Sequence, residues 1–419
     1  MIDLKLLRTN PELYKDSAKK RGSNVDIDAF LVLDKEVVKL KQEIDELRTI
    51  KNKVSREIPT LSNEEKGPKI VEMKKVGEEL KQKEEALREK QVEFNEIYYC
   101  IPNLLDETAA IGATDEENAR EYFFGEKTKF DFELKPHYEI GEKKGWIDIP
   151  KGSEVSGSRF WYLKGDLVFL QFAIVNFALS KLAEKGFSPV LPPVLVREKA
   201  MFGTGFFPAD EDGIYSVNPG EDDLYLVGTA EVPVTSYHTE EVVNVDEPIK
   251  YVGYSPCFRR EAGAAGKDTR GILRGHQFDK VEMVTFCKPE DSQKMHDEMV
   301  AIEEEIRQAL NIPYQKMNVC TGDLGNPAMK KYDLEAWMPG QEKYREVTSC
   351  SNIGDFQSRR LNIKYRDKDD NLQFVHTLNG TVIALSRCLI AIIENYQDEN
   401  GDVIIPEVLV PFMGGKTKI

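Results

Sequence analysis

Between positions 258 and 282 the chain gathers side chains able to hold a phosphate and a base edge at once: Phe258-Arg259-Arg260-Glu261, then Arg274-Gly275-His276-Gln277-Phe278, then Val281-Glu282. Side chains alternate along an extended backbone, so Arg259 and Glu261 are expected to point the same way. A fixed cation beside a fixed anion adds little to packing at a strand end. It suits a ligand with a phosphate and a hydrogen-bonding heterocycle. The intervening stretch, 262–273, is rich in glycine and alanine and contains Lys267, Asp268 and Arg270, a composition that fits a polyanion better than a core.

These residues need a rigid support, and the sequence beyond residue 105 supplies one. Strands are expected at 224–227, 251–258, 276–286 and 332–337, and helices at 167–182, 289–310 and 380–396. The first helix stops at Lys185-Gly186, a C-terminal signal. The segment 187–194 then reads as extended, but Pro189, Pro192 and Pro193 deny it full ladder bonding, which marks an edge or interface strand. The strands are not separated by regular helices. The fold class is therefore α+β, an antiparallel sheet flanked by helices, rather than a doubly wound parallel sheet.

The first hundred residues have a different texture. Leu33, Val37, Leu40, Ile44, Leu47, Val54 and Ile58 follow alternating spacings of four and three, as do Met73, Val76, Leu80, Leu87, Phe94 and Ile97, with Lys51, Lys83 and Lys90 as polar interruptions. This is the heptad pattern of a coiled coil. Pro59, Ser62-Asn63 and Gly67-Pro68 break it. Two helices of about 30 residues, each about 45 Å long, must then pair antiparallel over about 29–98. The division expected is an N-terminal domain over 1–104 and a second domain over 105–419. The hairpin reads either as a dimerisation stalk or as an arm reaching a distant part of a large ligand. Lys51, Lys53 and Arg56, clustered before the turn, favour a polyanion.

Composition bounds what remains. With 419 residues, 41% of them apolar, the chain can bury a large core. No run of about 18 apolar residues is present, so no membrane span is expected. The N-terminus lacks a signal-peptide pattern. Six scattered cysteines without a CxxC pair predict a reduced, cytoplasmic protein with neither disulfide frame nor zinc site. The net charge of −16 is uneven: residues 1–100 hold 21 Lys+Arg and 21 Asp+Glu, leaving 36 against 52 in the rest. Such a surface excludes non-specific nucleic-acid binding over the whole molecule, but not a contact through the N-terminal segment and local basic loops.

Taken together, the motifs resemble those of the bacterial-type seryl-tRNA synthetase family, which are class II aminoacyl-tRNA synthetases. The likeness includes the opening Met1-Ile-Asp-Leu-Lys-Leu-Leu-Arg-Thr-Asn-Pro-Glu-Leu, the helical arm and all three class II motifs. Motif 1 is the helix ending at Gly186 with 187–193. Motif 2 spans 257–284 and includes Asp268-Thr269-Arg270-Gly271 and His276-Gln277-Phe278-Asp279-Lys280-Val281-Glu282. Motif 3 runs from Thr377-Leu378-Asn379-Gly380-Thr381 to Arg387. Gly228-Thr229-Ala230-Glu231 and Arg345-Glu346-Val347-Thr348-Ser349-Cys350-Ser351-Asn352 lie between them, in the family's order. The chain departs from the usual pattern at Val382 and Ser386 in motif 3, at Ile353-Gly354, and over 206–210.

The resemblance implies a ligase that activates L-serine with ATP to seryl-adenylate and transfers it to the 3′ end of tRNA(Ser), with tRNA(Sec) as a further candidate substrate. It implies that Arg259 and Arg387 are catalytic, and that ATP is bound by Arg259, Arg260, Glu261, Arg274, Phe278, Glu346, Val347, Thr348, Ser349 and Arg387. Arg259 would take the α-phosphate, Arg387 and Arg274 the γ-phosphate, and Glu261 the adenine amino group, with Phe278 and Arg387 sandwiching the ring. Glu346 and Ser349 would hold Mg²⁺, whose preference is for hard oxygen ligands. Serine would meet Thr229, Ala230, Glu231, Glu282, Asn379 and Thr381. The tRNA would meet Lys51, Lys53 and Arg56 on the arm and Lys267 and Arg270 in the motif 2 loop. Motif 1 implies a homodimer. An amino acid:carrier-protein ligase shares the catalytic domain, but has no use for a long arm. A non-catalytic synthetase-like protein would have lost Arg259, Glu261, Glu346 or Arg387, and all four are present.

Overall fold

The computed structural model describes residues 1–262 and 270–419. The chain divides into two compact units, one of Asp3–Lys19 with Ser23–Pro102, the other of Met1–Ile2, Lys20–Gly22 and Asn103–Ile419.

In the first unit, helices Ile27–Glu57 (31 residues) and Asn63–Tyr98 (36 residues) form the antiparallel hairpin. Leu33, Val37, Ile44, Val54, Leu80 and Phe94 are buried along its seam, and Phe30 closes its base against Phe94 and Tyr98, with ring centroids 4.9 and 5.7 Å apart. Lys83 and Lys90, polar interruptions in the heptads, reach across the hairpin to Glu43 (2.8 Å) and Glu36 (3.0 Å). Such solvent-screened pairs add little to stability and serve more to fix the register of the hairpin. Gly67-Pro68, expected to break the helix, lies inside it. Ser62 and Glu65 form a reciprocal capping box that starts the helix ahead of the proline. A proline in a helix interior costs about 3 kcal/mol, which the long apolar seam beyond it offsets.

The second unit is built on an eight-stranded sheet. Its order is Ala119–Phe124, Tyr314–Asn318, Lys330–Met338, Lys343–Gly354, His376–Ala384, Gln277–Cys287, Ile249–Phe258 and Ser188–Val190. Every neighbouring pair is antiparallel except the last, which is parallel. The proline-rich segment thus forms a short edge strand, as its missing donors require. Helices Asp166–Glu184, Ser292–Ala309 and Leu385–Asn395 pack against the sheet and share one apolar core with it. By length and composition Asp166–Glu184 would suffice to cross a membrane, but Leu167, Leu170, Ile174, Ala178 and Leu182 bury its inner face in that core.

The helix expected at 380–396 begins only at Leu385; Gly380 to Ala384 belong to the strand His376–Ala384. The run Thr381-Val382-Ile383 explains the shift, because consecutive β-branched side chains favour extended backbone. Strand Lys343–Gly354, which the sequence reading did not identify as a strand, sits at the sheet's centre.

Candidate active site

Two strand irregularities set the site. Glu346 and Ser349 are three residues apart and would face opposite sides of a regular strand. In the pairing of Lys343–Gly354 with Lys330–Met338, Thr348 lies opposite Leu334 and Glu346 opposite Glu335, so Val347 is an extra residue in the ladder. This bulge turns Glu346 and Ser349 to one face. A second bulge at Val382, between Thr381 (opposite Glu282) and Ile383 (opposite Val281), does the same for Thr381 and Ala384.

All four line one open cavity of about 610 Å³, with Arg259, Glu261, Arg274, Phe278, Lys280 and Arg387. Arg259 to Glu261 lie just past the strand end at Phe258, so the expectation of a regular extended segment does not hold there. Arg259 N–H still continues the ladder to His276 O at 3.0 Å, and Glu261 then turns into the left-handed region at φ 52°. A non-glycine residue is rarely held there, and functional sites are where it concentrates. Arg274 forms an ion pair with the Glu261 carboxylate. The Arg259 guanidinium stands 5.2 Å from the Phe278 ring centroid and donates to Gly228 O at 3.2 Å. Arg387, in the first turn of its helix, donates to Glu346 O at 2.7 Å and lies 3.3 Å from its carboxylate. Partial loss of water opposes charge on Glu346, whose side chain is still 47% exposed, but Arg387, Lys331 and Arg259 outweigh it and hold the carboxyl below its ordinary range.

A second cavity of about 950 Å³ adjoins the first, with Arg259, Lys280 and Ser349 common to both. Thr229, Glu231, Glu282 and Asn379 line it. Glu231 accepts from Gln357 Nε2 (2.7 Å) and Asn379 Nδ2 (2.9 Å). Burial, then the nearby Glu282, pushes Glu231 up to about 7. Glu282 Oε2 is taken by Lys280 Nζ (2.7 Å) and by the Thr381 hydroxyl (3.0 Å). This cavity is lined by ionisable and amide side chains on one side and by Gly325 to Ala328 on another. It suits a small zwitterion.

Not every expected residue converges: Thr381, expected with serine, lines the first cavity and touches the second only through its bond to Glu282. Arg260 lines neither cavity and is exposed, its N–H bonded to Gly213 O at 2.9 Å. Ala230, between Thr229 and Glu231, is buried away from the cavity. Arg270 lines a separate recess with His137 and Glu394, and Lys267 lies outside the described residues. Lys51, Lys53 and Arg56 are exposed on the arm. The departure at Val382 does not crowd the site: its side chain is fully buried in the core, and Arg307 Nη2 holds its carbonyl at 2.6 Å. Ile353 does line the second cavity. Lys280 and Gln357 were missed. Lys280 had a signal, since Phe278, Lys280 and Glu282 recur at period two on one strand face. Gln357, on the helix Phe356–Leu361, had none.

Among the described residues no three His, Cys, Asp or Glu side chains group as a metal site. Glu346 and Ser349 offer one ionised carboxylate and one hydroxyl on the same face. That donor set fits Mg²⁺ bound chiefly through substrate phosphates and water, and not a protein-only cage.

An antiparallel sheet with this order, carrying these arginines and acids around paired cavities, defines a class II aminoacyl-tRNA synthetase core. Residues 215–396 match the tRNA synthetase class II core domain (G, H, P, S and T), and residues 1–105 the seryl-tRNA synthetase N-terminal domain. Over 421 residues the chain is 45% identical to the serine–tRNA ligase of Thermodesulfovibrio yellowstonii, covering 99% of each. It is 44% identical to that of Borrelia garinii subsp. bavariensis, covering 99% of this chain and 98% of the relative. The crystal structure of seryl-tRNA synthetase from Pyrococcus horikoshii complexed with ATP matches with a TM-score of 0.91 at 41% identity, covering 100% of this chain and 99% of that one. The chain belongs to the seryl-tRNA synthetase family.

Proposed function

We propose that this protein joins L-serine to tRNA(Ser) in two steps, with ATP in the first cavity and serine in the second. The observation that carries the assignment of the cavities is their shared wall: Arg259 borders both. It stands where a serine carboxylate and an α-phosphate must meet. One carboxylate oxygen forms a bond to the α-phosphorus, the bond to the bridging oxygen breaks, and pyrophosphate leaves with its electron pair. Arg259 supplies fixed positive charge to the two anions and to the phosphoryl oxygens as charge redistributes. Arg387 and Arg274 offer planar forks to the terminal phosphates. Mg²⁺, held by Glu346 and Ser349 with phosphate oxygens, would offset further negative charge. In the second step a ribose hydroxyl of the tRNA 3′ end attacks the acyl carbon and AMP leaves.

The serine ammonium would sit on Glu231, with Thr229 beside it, and the hydroxyl would meet Glu282, displacing or sharing its bond to Thr381, which reaches from the first cavity. Alanine, lacking the hydroxyl, would leave these buried polar groups unpaired, and such sites reject the lacking analogue strongly. The arm would grip the tRNA by backbone and shape, as structured RNA is usually recognised, through Lys51, Lys53 and Arg56. Arg270 and Lys267 would meet the acceptor end. A homodimer would form through the motif 1 face, where Phe169 (65% exposed), Phe172 (50%) and Leu191 (79%) leave apolar surface open. Six unpaired cysteines suit a cytoplasmic setting.

Exchange of labelled pyrophosphate into ATP with each amino acid in turn, followed by charging of purified tRNA(Ser), tests this reading. Serine-dependent exchange and charging are expected. Exchange without charging would favour a carrier-protein ligase, and no exchange an inactive relative. Deleting 35–95 should leave exchange within about twofold and reduce charging by about 10³-fold or more, the scale of losing many phosphate contacts at once.

A further inference from the structure

The wall of the second cavity at Gly325 to Ala328 belongs to no strand, yet its backbone is held from behind at every carbonyl. Arg21 Nη1 donates to Gly325 O at 3.0 Å and Arg21 Nη2 to Ala328 O at 2.5 Å. Asn103 takes the two between: its N–H donates to Asn326 O at 2.9 Å and its Nδ2 to Pro327 O at 2.9 Å. The same Nδ2 also donates to Ile353 O at 2.8 Å, on the neighbouring part of the cavity wall. Arg21 belongs to the catalytic unit through Lys20–Gly22. It is 9% exposed, and burial alone pulls it down to about 10, with no carboxylate among the described residues offsetting the loss of water.

A buried guanidinium without an acid partner is an expensive way to fill space, since an apolar side chain would serve packing better. What only a guanidinium supplies is a rigid fork of donors, and here two of its tips meet the first and last carbonyls of one loop. We propose that Arg21 is a positioning residue for the amino-acid cavity: by clamping Gly325 and Ala328 it fixes the loop wall against which the substrate is oriented. The proposal rests on reading that cavity as the serine site. Arg21 touches no reacting atom, so its effect should fall on the amino acid and spare the nucleotide.

Serine-dependent pyrophosphate exchange by the full chain tests this with Arg21→Met, similar in length but without donors, and with Arg21→Lys. Arg21→Met should raise the serine KM about tenfold, with the ATP KM within about twofold; small displacements of a positioned substrate have effects of this size or larger. Arg21→Lys should lie between, because one ammonium cannot match a fork. A folded Arg21→Met with wild-type serine KM, or with serine and ATP KM raised together, would overturn the proposal. If Arg21→Met does not fold, Arg21→Lys decides by the same criterion. Wild-type exchange that does not depend on serine removes the serine reading itself, and this proposal with it, before any variant is made.

Discussion

The two cavities that meet at Arg259 solve opposite electrostatic problems. The first cavity, proposed for the nucleotide, gathers Arg259, Arg274 and Arg387, with Glu261 paired to Arg274 and Glu346 to Arg387, these two arginine side chains being 37% and 28% exposed. The amino-acid side gathers carboxylates and clamps them with Gln357, Asn379, Thr381 and one buried Lys280. A flexible, highly charged triphosphate can be caught by wet cations that adjust to it. A three-carbon zwitterion offers few contacts, so its partners must be fixed in advance, and the buried Glu231, held by two amides, is fixed at the expense of its ionisation. On the proposed reading, selectivity rests on the buried carboxylates of the second cavity and charge neutralisation on the part-exposed arginines of the first.

The largest test of that division removes what the two sides share. Arg259→Ala should lower serine-dependent exchange by about 10³-fold or more, in kcat and not chiefly in either KM, because loss of a preorganised charge at the reacting centre costs that much. An effect confined to the ATP KM would show that Arg259 serves the nucleotide side only.

In the second cavity, Glu282→Gln keeps the shape and the contact to Thr381 but loses the charge beside Lys280. We expect the serine KM to rise about 10²-fold, in line with disrupting a polar selector, with the ATP KM within about threefold. Rejection of alanine should weaken in parallel. Equal loss for both substrates would merge the two cavities into one functional unit.

The next effect is pH-dependent and should appear for serine alone. Glu231 has its carboxyl raised to about 7 by burial and by Glu282. It must be ionised to take an ammonium. In the unliganded site it is therefore protonated below about 7, and serine binding should strengthen as pH rises through that value and level off above it. Between pH 8 and pH 6 the serine KM should rise about tenfold, one pH unit below the midpoint being worth a factor of ten. Glu231→Gln should bind serine weakly with no such slope. An ATP KM with the same slope would assign the titration elsewhere.

How much of this was legible beforehand follows from the range over which each feature is determined. The arm was visible because its seam repeats every seven residues, a local property, and even Lys83 and Lys90 could be marked as misfits; only the pairing shows that Glu43 and Glu36 answer them. Arg259 and Glu261 share the first cavity as the short motif suggests, although a left-handed turn at Glu261, not a regular strand, brings them there. The two bulges did not, since an extra residue at Val347 or Val382 exists only relative to the partner strand. Gln357, Asn103 and Arg21 contribute through contacts more than 120 positions away, and no window of sequence contains both partners. Arg260, next to Arg259 in sequence, lines neither cavity, because the chain leaves the strand at Phe258 and turns at Glu261.

Val382 gives the finest test of the separation, because it departs from the family pattern right beside Thr381 and the fold places it in the core. Its side chain is fully buried, while its carbonyl is taken by Arg307. Val382→Ala removes two methyl groups from a dense interior. Deleting buried methyl groups typically costs about 1–3 kcal/mol including the residual cavity, so the melting temperature should fall by a few degrees for a chain of this size. The serine and ATP KM values should stay within about twofold, since Thr381 on one side of the bulge keeps its bond to Glu282. A stable Val382→Ala with altered serine selectivity would reverse the assignment: the bulge would then be tuning the cavity through Thr381 instead of merely re-phasing the strand beneath it.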